Sequence, residues 1–456
     1  MASCIFKKFA LGVNIIALFI TAALAADSQS KIALGPQEQL EQLATQLTTQ
    51  WDSAHIPTAG LAVVFKNATL STRLGEKEQG NFELASASKA FTGMLIAVLE
   101  EQGILDTRDS ITQWLPELAS NVTPGFHQVT LKHLLTHTSG LGSNSLDWLT
   151  PMQNAEALES LAELLADKEL SYIPGSEGEY ATLNYSLLGL IAQRATGKAF
   201  HQLLQEKVFK PLGMRNSFVE HFDNHNQAQT IPGYKISFLQ SRSYDAPRYQ
   251  QNTPAGYVLT TPEDMVRWLS FLISPSSIEV SQEGLLLQQA YRRIIDTVSR
   301  EVQADYVYGW EVLREDGYTL MHPGQNPNAS AFVIFSPSLE TGVGMMGNSN
   351  NNALFYAAID VFEHLRDQPE QSFTLALEHD PLDLWLSLIS IVLGGASLGL
   401  VWVTLYRRQS SMGEVESLRQ QIFQQSWAAS ELPGNWLQWL KQAFVCNLIL
   451  LSLIHI

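Results

Sequence analysis

Residues 384–406 form an unbroken apolar stretch that carries no charged side chain. The stretch is long enough to span a bilayer as a helix, which takes about 20 residues. Trp385 and Trp402 lie near its two ends, where aromatic side chains favour the membrane interface. Arg407 and Arg408 follow at once and indicate that this end faces the cytoplasm. The pattern therefore predicts a transmembrane helix in contact with lipid, the alternative being a buried core helix.

The first residues, 1–25, have the pattern of a secretory signal peptide, the alternative being an uncleaved N-terminal anchor. Lys7 and Lys8 precede an apolar run, and the small residues Ala23 and Ala25 fit a cleavage site. A signal peptide directs the residues that follow it outward, which agrees with the orientation of the apolar stretch. We therefore expect residues 36–368 to form a domain on the periplasmic or extracellular side of the cell membrane.

The whole chain has 456 residues and a formal net charge of −17. This length allows one large catalytic unit, or two smaller domains, together with accessory segments. The acidic balance argues against a nucleic-acid partner. Because the cysteines are Cys4 and Cys446, the expected exported domain holds none and should have neither a disulfide nor a cysteine-based metal site.

Strand-like alternation of apolar residues occurs near both ends of this domain, and helical periodicity dominates between them. This order predicts one catalytic unit made of a sheet and a helical lobe. A polar stretch at residues 237–252 predicts a long surface loop. We expect strands at 59–65, 69–74, 307–313, 318–322, 331–335 and 343–346, and helices at 37–51, 111–115, 131–135, 158–165, 187–195, 262–273 and 353–365.

A serine and a lysine stand three residues apart, at Ser86 and Lys89, near the start of a predicted apolar helix. This spacing places both side chains on one face of the helix. A desolvated lysine with a lowered pKa can take the proton of a serine hydroxyl, and the free N–H groups of a helix start suit an oxyanion. Ser28 and Lys31 have the same spacing, but no apolar helix follows them.

The segment around Ser86 and Lys89 resembles the active-site helix of class C β-lactamases and of their relatives among penicillin-binding proteins and esterases. The likeness continues, in order, over residues 37–364. It implies an α/β (α+β) fold in which a mainly antiparallel sheet is flanked by helices and joined by a helical lobe. It also implies that Ser86 is the nucleophile, that Lys89 is its base, and that no cofactor is needed.

A second segment, around Tyr180, is similar to the family's second active-site element, in which an Asn follows two residues after the Tyr. The resemblance implies that Tyr180 relays a proton to the leaving group. The position of the Asn is occupied here by Thr182. Since a hydroxyl lacks the paired donor and acceptor of a carboxamide, we expect weaker recognition of a substrate amide.

A third segment, His322-Pro-Gly324, is similar to the strand on which the family carries Lys or His, one further residue, and Gly. By resemblance, His322 lines the pocket and orients the substrate, and the backbone N–H after Gly324, that of Gln325, joins the N–H of Ser86 in holding the oxyanion. Class C β-lactamases carry Lys-Thr-Gly at this place. The change to His322 removes a permanent cation that would hold a substrate carboxylate.

His133 and His137 stand four residues apart, a spacing that zinc sites also use. Such sites bring a third ligand and usually a carboxylate between the two histidines. Neither is evident here, so we expect a structural loop and no metal.

Two further segments, at residues 208–214 and 254–256, also resemble the family. We expect them to have packing roles only.

Three substrate classes remain open for such a hydrolase: D-amino-acid peptides of the cell wall, simple esters or small amides, and β-lactams. The changes at Thr182 and His322 favour the second class. A D-Ala-D-Ala carboxypeptidase or β-lactamase is the main alternative. A membrane sensor that is acylated or merely occupied is a different alternative, which is disfavoured because residues 407–442, expected in the cytoplasm, contain no recognisable signalling domain.

The last residues, 443–456, read as the start of a second transmembrane helix that is too short to span a bilayer. The final Leu451-Ser-Leu-Ile-His-Ile456 can be back-translated as CTGTCTCTTATACACATC, which is a transposon-end adapter used to build sequencing libraries. We therefore expect that these six residues are not native and that the gene continues beyond them. The alternative is a short interfacial helix with a genuine end.

Overall fold

The computed structural model describes residues 34–422 except 77, 120–124, 221–229, 239, 278–280, 302–303, 315–316, 370 and 376–380. The predicted signal peptide (1–25) and the predicted second membrane segment (443–456) lie outside the described residues. The same holds for residues 423–442 of the predicted cytoplasmic segment. These three predictions stay predictions.

Within the described residues, a seven-stranded sheet forms the centre of the domain, in the order β2-β1-β12-β11-β10-β9-β8. Every neighbouring pair of strands in it is antiparallel. The first and last strands of the domain, β1 and β12, are neighbours in this sheet, so the strands expected at both ends of the domain belong to one sheet. The strands are β1 (Thr58–Phe65), β2 (Ala68–Gly75), β3 (Phe82–Glu83), β4 (Phe218–Val219), β5 (Tyr234–Ser237), β6 (Gln240–Ser243), β7 (Val258–Thr260), β8 (Tyr306–Val307), β9 (Trp310–Leu313), β10 (Thr319–Asn326), β11 (Ala329–Ser336) and β12 (Thr341–Gly347).

Helices cover both faces of this sheet and form the second lobe. The helices are α1 (Pro36–Gln50), α2 (Ser88–Glu101), α3 (Leu131–Leu135), α4 (Ser160–Ala166), α5 (Leu183–Thr196), α6 (Phe200–Leu204), α7 (Thr253–Gly256), α8 (Pro262–Ile273), α9 (Gln282–Arg300), α10 (Ala353–Asp367) and α11 (Pro381–Ile422). The predicted mixed fold, with an antiparallel sheet flanked by helices, is therefore confirmed.

Alternation along the strands divides the interior into two apolar cores. In β11, Phe332 and Ile334 belong to the core under α1 and α10, whereas Val333 and Phe335 belong to the larger core that contains α2. This follows from the strand period, because successive side chains point to opposite faces. Helix α2 is buried along nearly its whole length, and all of its residues except Glu101 are inaccessible to solvent. The helix that begins beside Ser86 is thus the centre of the larger core.

Two expectations about the elements need correction. The stretch at residues 237–252, expected to be a loop, begins with the end of a β-hairpin, because β5 pairs antiparallel with β6. No helix was predicted where α9 lies. This helix packs its apolar side on the larger core through Leu287, Ile294 and Val298. Its many Gln and Arg residues lie on the outer side of the helix and make its amphipathic pattern weak in the sequence.

Among the described residues, one helix is long and apolar enough to cross a membrane, at Leu384–Thr404 within α11. Little of this segment is buried against the rest of the protein. Trp385, Leu398 and Trp402 are among its exposed apolar side chains. Length and composition thus agree with the predicted anchor, whose membrane location and orientation are taken up below as proposals.

Candidate active site

Ser86 lies in a tight turn that joins strand β3 to helix α2. The turn is a 3₁₀ helix at Ala85–Ala87, and Ala85 has a left-handed backbone with φ of 46°. A residue other than Gly is uncommon in that region, so the turn is held in place by its surroundings. Ser86 itself is partly exposed, whereas its neighbours on both sides are buried. The turn therefore presents one hydroxyl to the cleft.

Lys89 lies one turn further along the chain and is completely buried. Its Nζ donates to Ser86 Oγ at 2.9 Å and to the carbonyl oxygen of Ala255 at 3.1 Å. Among the described residues no carboxylate forms an ion pair with the amine, and burial lowers the pKa of Lys89 to about 7. An amine with this pKa is largely neutral at slightly alkaline pH and can accept a proton from Ser86.

The short segment around Ala255 holds the active-site helix from the other side. Thr92 Oγ1 donates to the carbonyl oxygen of Pro254 at 2.6 Å, and the N–H of Val258 donates to Ser88 Oγ at 3.0 Å. These bonds fix the carbonyl of Ala255 against the amine of Lys89. From the sequence, this segment was expected to have a packing role only. A hydrogen bond to a backbone carbonyl does not depend on the residue type and so cannot be recognised in the sequence.

Tyr180 meets Ser86 from the helical lobe. The side chains of Ser86 and Thr182 are close enough to its hydroxyl to favour the ionised form, and its ring centre lies 5.1 Å from Lys89 Nζ. Burial is the main cause that raises the pKa of Tyr180, and the charge of Glu311 adds to it. The hydroxyl end is desolvated, while the residue as a whole keeps 37% of its surface exposed. Tyr180 therefore stays protonated and can be reached from the cleft.

His137 packs against Tyr180, with ring centres 4.3 Å apart. Its Nδ1 accepts the N–H of Ala181 at 3.2 Å and lies 2.9 Å from Asn184 Nδ2. His133 has a different role at the start of α3, where its Nδ1 accepts the N–H of Thr130 at 3.2 Å. The two histidines thus serve separate structural contacts. Within the described residues there is no cluster of three or more His, Cys, Asp or Glu side chains that could hold a metal.

His322 lies on β10 and is almost completely buried. Its Nδ1 lies 2.5 Å from the carbonyl oxygen of Pro323, so this nitrogen carries the proton. Its Nε2 accepts the hydroxyl of Tyr306 at 2.8 Å. Burial, followed by the nearby Lys89, lowers the pKa of His322 to about 3. The imidazole is therefore neutral, and both of its nitrogens are already bonded within the protein.

Gly324 brings strand β10 directly against the Ser86 turn. A Cβ at this position would lie 2.2 Å from the carbonyl oxygen of Leu84 and 3.1 Å from the N of Ser86. Only glycine allows this close approach without a movement of the backbone. The side chain of the next residue, Gln325, points away and donates to Asn350 O at 2.7 Å and to Asn352 Oδ1 at 2.8 Å.

A buried group of charges ties the same elements together behind the cleft. Glu83, next to the turn on β3, pairs with Arg248 and accepts a hydrogen bond from Asn326 Nδ2. Asn326 also donates to the carbonyl oxygen of Gly256 at 3.1 Å. One carboxylate therefore links the strand before Ser86 to the end of β10 and to the segment that carries Ala255.

A serine with a buried lysine and a tyrosine, in this order along the chain, is the arrangement that the resemblance predicts. The sequence model of the Beta-lactamase family matches residues 41–366. The chain belongs to the beta-lactamase family. Its members are serine hydrolases, and the match covers most of the domain described above.

Individual relatives agree with this family. Protein flp of Staphylococcus aureus (strain MW2) is 28% identical over 342 residues, which are 72% of this chain and 66% of that protein. Penicillin-binding protein 4* of Bacillus subtilis (strain 168) is 26% identical over 290 residues, or 59% of this chain and 61% of that protein. The chain therefore spans a little less than two thirds of the length of these relatives.

A solved structure of a class C beta-lactamase has a TM-score of 0.57 to this protein at 18% identity. The similarity covers 69% of this chain and 92% of that one. At this identity the likeness shows a shared fold only and says nothing about activity. It supports the β-lactamase-like architecture that the motifs implied.

The structure brings most of the predicted site residues together. Ser86, Lys89 and Tyr180 lie together, Thr182 is near the hydroxyl of Tyr180, and Gly324 touches the turn of Ser86. Residues that sequence reasoning did not assign to the site also lie there: Ala255, Tyr306, His137 and Glu311. Their positions depend on packing between distant segments, and the printed chain contains no local signal for them.

Proposed function

We propose that this protein is a membrane-anchored serine hydrolase that acts outside the cytoplasm through an acyl-enzyme. Its substrates are esters, or small amides and D-amino-acid peptides. The observation that carries the proposal is the buried Lys89, whose Nζ lies 2.9 Å from Ser86 Oγ and whose pKa is lowered to about 7 by burial. A buried amine without a carboxylate partner costs stability, so its retention beside a serine favours a chemical role.

In the proposed first step, Ser86 Oγ attacks the substrate carbonyl carbon, and its proton passes to Lys89 Nζ, directly or through Tyr180. The bond from that carbon to the leaving oxygen or nitrogen then breaks, and Tyr180 gives the leaving group a proton. Water attacks the acyl-Ser86 ester, the acid leaves, and the hydroxyl of Ser86 is restored. The N–H groups of Ser86 and Gln325 are the proposed donors to the oxyanion.

The ester preference within this proposal follows from two site residues. Thr182 occupies the place of the family's Asn, and its side chain lies near the hydroxyl of Tyr180. His322 is neutral, because burial lowers its pKa to about 3. At these two positions the protein therefore offers neither a carboxamide for a substrate amide nor a fixed cation for a substrate carboxylate. Both absences weaken binding of cephalosporins and of peptides that end in a carboxylate.

A D-Ala-D-Ala carboxypeptidase is the second candidate, and the likeness to penicillin-binding protein 4* of Bacillus subtilis favours it. The location proposed for the domain, outside the membrane, would place it near the cell wall. A sensor that is acylated without turnover is a third candidate. Turnover with release of free enzyme separates the sensor from both hydrolases.

The proposed anchor is the segment Leu384–Thr404, which is apolar and little buried against the domain. Helices that are hydrophobic and unpacked in this way are stable in lipid rather than in water. Lipid is therefore the proposed partner of this segment, and the arginines that follow it at 407 and 408 set the proposed orientation.

One labelling experiment tests the proposed function. The full chain, purified in detergent, is incubated with a fluorophosphonate probe, and turnover is measured on a panel of esters, D-Ala peptides and cephalosporins. We expect covalent labelling and ester turnover by the wild type, and neither by Ser86→Ala. Ser28→Ala is the matched control and should behave as the wild type. Labelling that persists in Ser86→Ala would overturn the proposed nucleophile.

A further inference from the structure

A cavity of about 1480 Å³ opens beside the catalytic tyrosine. Its wall includes the rings of Tyr180, Tyr306 and His137, together with Glu311 on strand β9. Tyr180 is the residue proposed to give its proton to the leaving group. A substrate group that extends from the scissile bond past Tyr180 would enter the cavity.

Glu311 is a half-buried carboxylate in this wall. It pairs with Tyr306 across β8 and with Met321 across β10, so it is part of the sheet rather than of a mobile loop. Among the described residues it forms no ion pair. Its charge adds to burial in raising the pKa of Tyr180 and that of Tyr306. The negative charge of Glu311 therefore reaches both phenols, and the nearby amine of Lys89 lies on the Ser86 side of Tyr180 without forming an ion pair with Glu311.

The rest of the cavity wall does not compensate for this charge. Its two cations are Lys132, which pairs with Glu301 at 2.5 Å, and Arg300, which lies 3.6 Å from Asp296. Further carboxylates line the cavity at Glu177, Glu179 and Asp305. On the side of Ser86, the imidazole of His322 is neutral. The electrostatic potential of the cavity is thus negative, which attracts cations and repels anions.

His137 provides an independent sign that a ligand completes this cavity. Because its Nδ1 accepts the N–H of Ala181, the proton of the neutral ring is on Nε2. This nitrogen is buried and has no hydrogen-bond partner in the described protein, although the residue, only 4% exposed, lines the cavity. A buried donor without an acceptor costs about 1–3 kcal/mol. A ligand oxygen in the cavity would satisfy it.

We propose that this cavity binds a positively charged ammonium group of the substrate, with Glu311 as its counter-charge and the faces of Tyr180 and Tyr306 around it. Carboxylates and aromatic faces are the groups that hold ammonium ions in proteins. Nε2 of His137 donates to an oxygen of the same substrate. This inference rests on the proposed function and names its substrate class: esters or amides whose leaving portion carries an amine or quaternary ammonium.

A pair of esters that differ only in charge tests the inference. Acetylcholine carries a trimethylammonium group, and 3,3-dimethylbutyl acetate carries a neutral tert-butyl group of the same shape. The kcat/KM of the full chain in detergent is measured for both by titrating the acid released. We expect the wild type to prefer the charged ester by roughly tenfold, which corresponds to about 1.4 kcal/mol and is the order of a desolvated cation–π and charge contact. Added salt should reduce this preference.

Two variants make the comparison specific. In Glu311→Gln the ratio of the two kcat/KM values should fall to about one. In Glu363→Gln, which removes an exposed carboxylate from α10 on the opposite side of the sheet, the ratio should stay as in the wild type. A wild-type ratio near one, or an unchanged ratio in Glu311→Gln, overturns the inference.

The test of the proposed function is independent of this ratio. Hydrolysis of the neutral ester by the wild type but not by Ser86→Ala supports the hydrolase, whatever the ratio shows. If neither ester turns over, protection of Ser86 from the fluorophosphonate probe is compared between choline and 3,3-dimethylbutanol. Stronger protection by choline, lost in Glu311→Gln, supports the cation site, and equal protection overturns it.

Discussion

Tyr306 donates its phenolic hydrogen to Nε2 of His322 at 2.8 Å, and both residues are buried. The bond joins strand β8, at the edge of the sheet, to strand β10, which carries Gly324 beside Ser86. Since Nδ1 of His322 is already bonded to Pro323, the phenol completes the hydrogen bonding of a neutral imidazole. His322 is therefore held by the protein before any substrate arrives.

Tyr306→Phe should lower the free energy of unfolding by about 1–3 kcal/mol, because it leaves a buried ring nitrogen without a partner. Denaturant unfolding of the variant and the wild type measures the difference. Tyr356→Phe, at an exposed position on α10, is the matched control and should change stability by no more than about 0.5 kcal/mol. Equal stability of the two variants would contradict the proposed importance of this bond.

The activity of the wild type should rise with pH in a curve centred near 7 and level off at alkaline pH, because Lys89 must lose its proton before it can accept that of Ser86. The pH dependence of kcat/KM on a neutral ester measures this rise. Lys89→Met should lose roughly 10²-fold or more of the activity for want of a base. A rise centred near 10.5, the ordinary pKa of lysine, would show that the amine is not desolvated in solution.

Lys89→Met should also be more stable than the wild type at neutral and acidic pH. Burial lowers the pKa of Lys89 in the folded state from 10.5 to about 7. The folded protein therefore loses stability as pH falls below 10.5, and this loss is complete once the pH has fallen through 7. The gain in the variant is therefore a few kcal/mol near neutral pH and disappears as pH approaches the ordinary pKa. Melting temperatures over this pH range measure it. Lys132→Met, at an exposed lysine, should show no such trend.

Gly324→Ala should abolish labelling of Ser86, because the added methyl group would lie 2.2 Å from the carbonyl oxygen of Leu84 and displace the nucleophile turn. The rate of fluorophosphonate labelling and circular dichroism of the folded protein are measured together. Gly35→Ala is the control, since its Cβ would meet nothing closer than 3.9 Å. Normal labelling of Gly324→Ala would mean that β10 does not press on the turn.

Short-chain esters should be hydrolysed with a higher kcat/KM than a cephalosporin. The physical reason is the neutral His322, which leaves a substrate carboxylate without a counter-charge, and the replacement of the family's Asn by Thr182. Steady-state kinetics on both substrates decide the order. A cephalosporin kcat/KM near that of efficient enzymes, about 10⁶ M⁻¹s⁻¹ or above, would contradict it.

Local patterns were enough to predict much of this protein. The three-residue spacing of Ser86 and Lys89 on one helix and the alternation of the strands depend only on residues that are close in the chain, and the periods of helices and strands express these relations directly. The segments around Ser86, Tyr180 and His322, in this order, also resemble those of class C β-lactamases and their relatives. It is this resemblance that implied the fold, the family and the group of Ser86, Lys89 and Tyr180. The apolar stretch at 384–406 was predicted from its local pattern.

The tertiary structure alone decided how these groups behave. The carbonyl of Ala255, which receives the amine of Lys89, is 166 residues away in the chain, and Tyr306 reaches His322 from another strand. Glu311 acquires its place beside Tyr180 only because β8, β9 and β10 pair at the sheet edge. A lowered lysine pKa, a neutral histidine and a half-buried carboxylate are all effects of burial and distance. Neither quantity is defined until the chain has packed, and so no residue pattern could have revealed them.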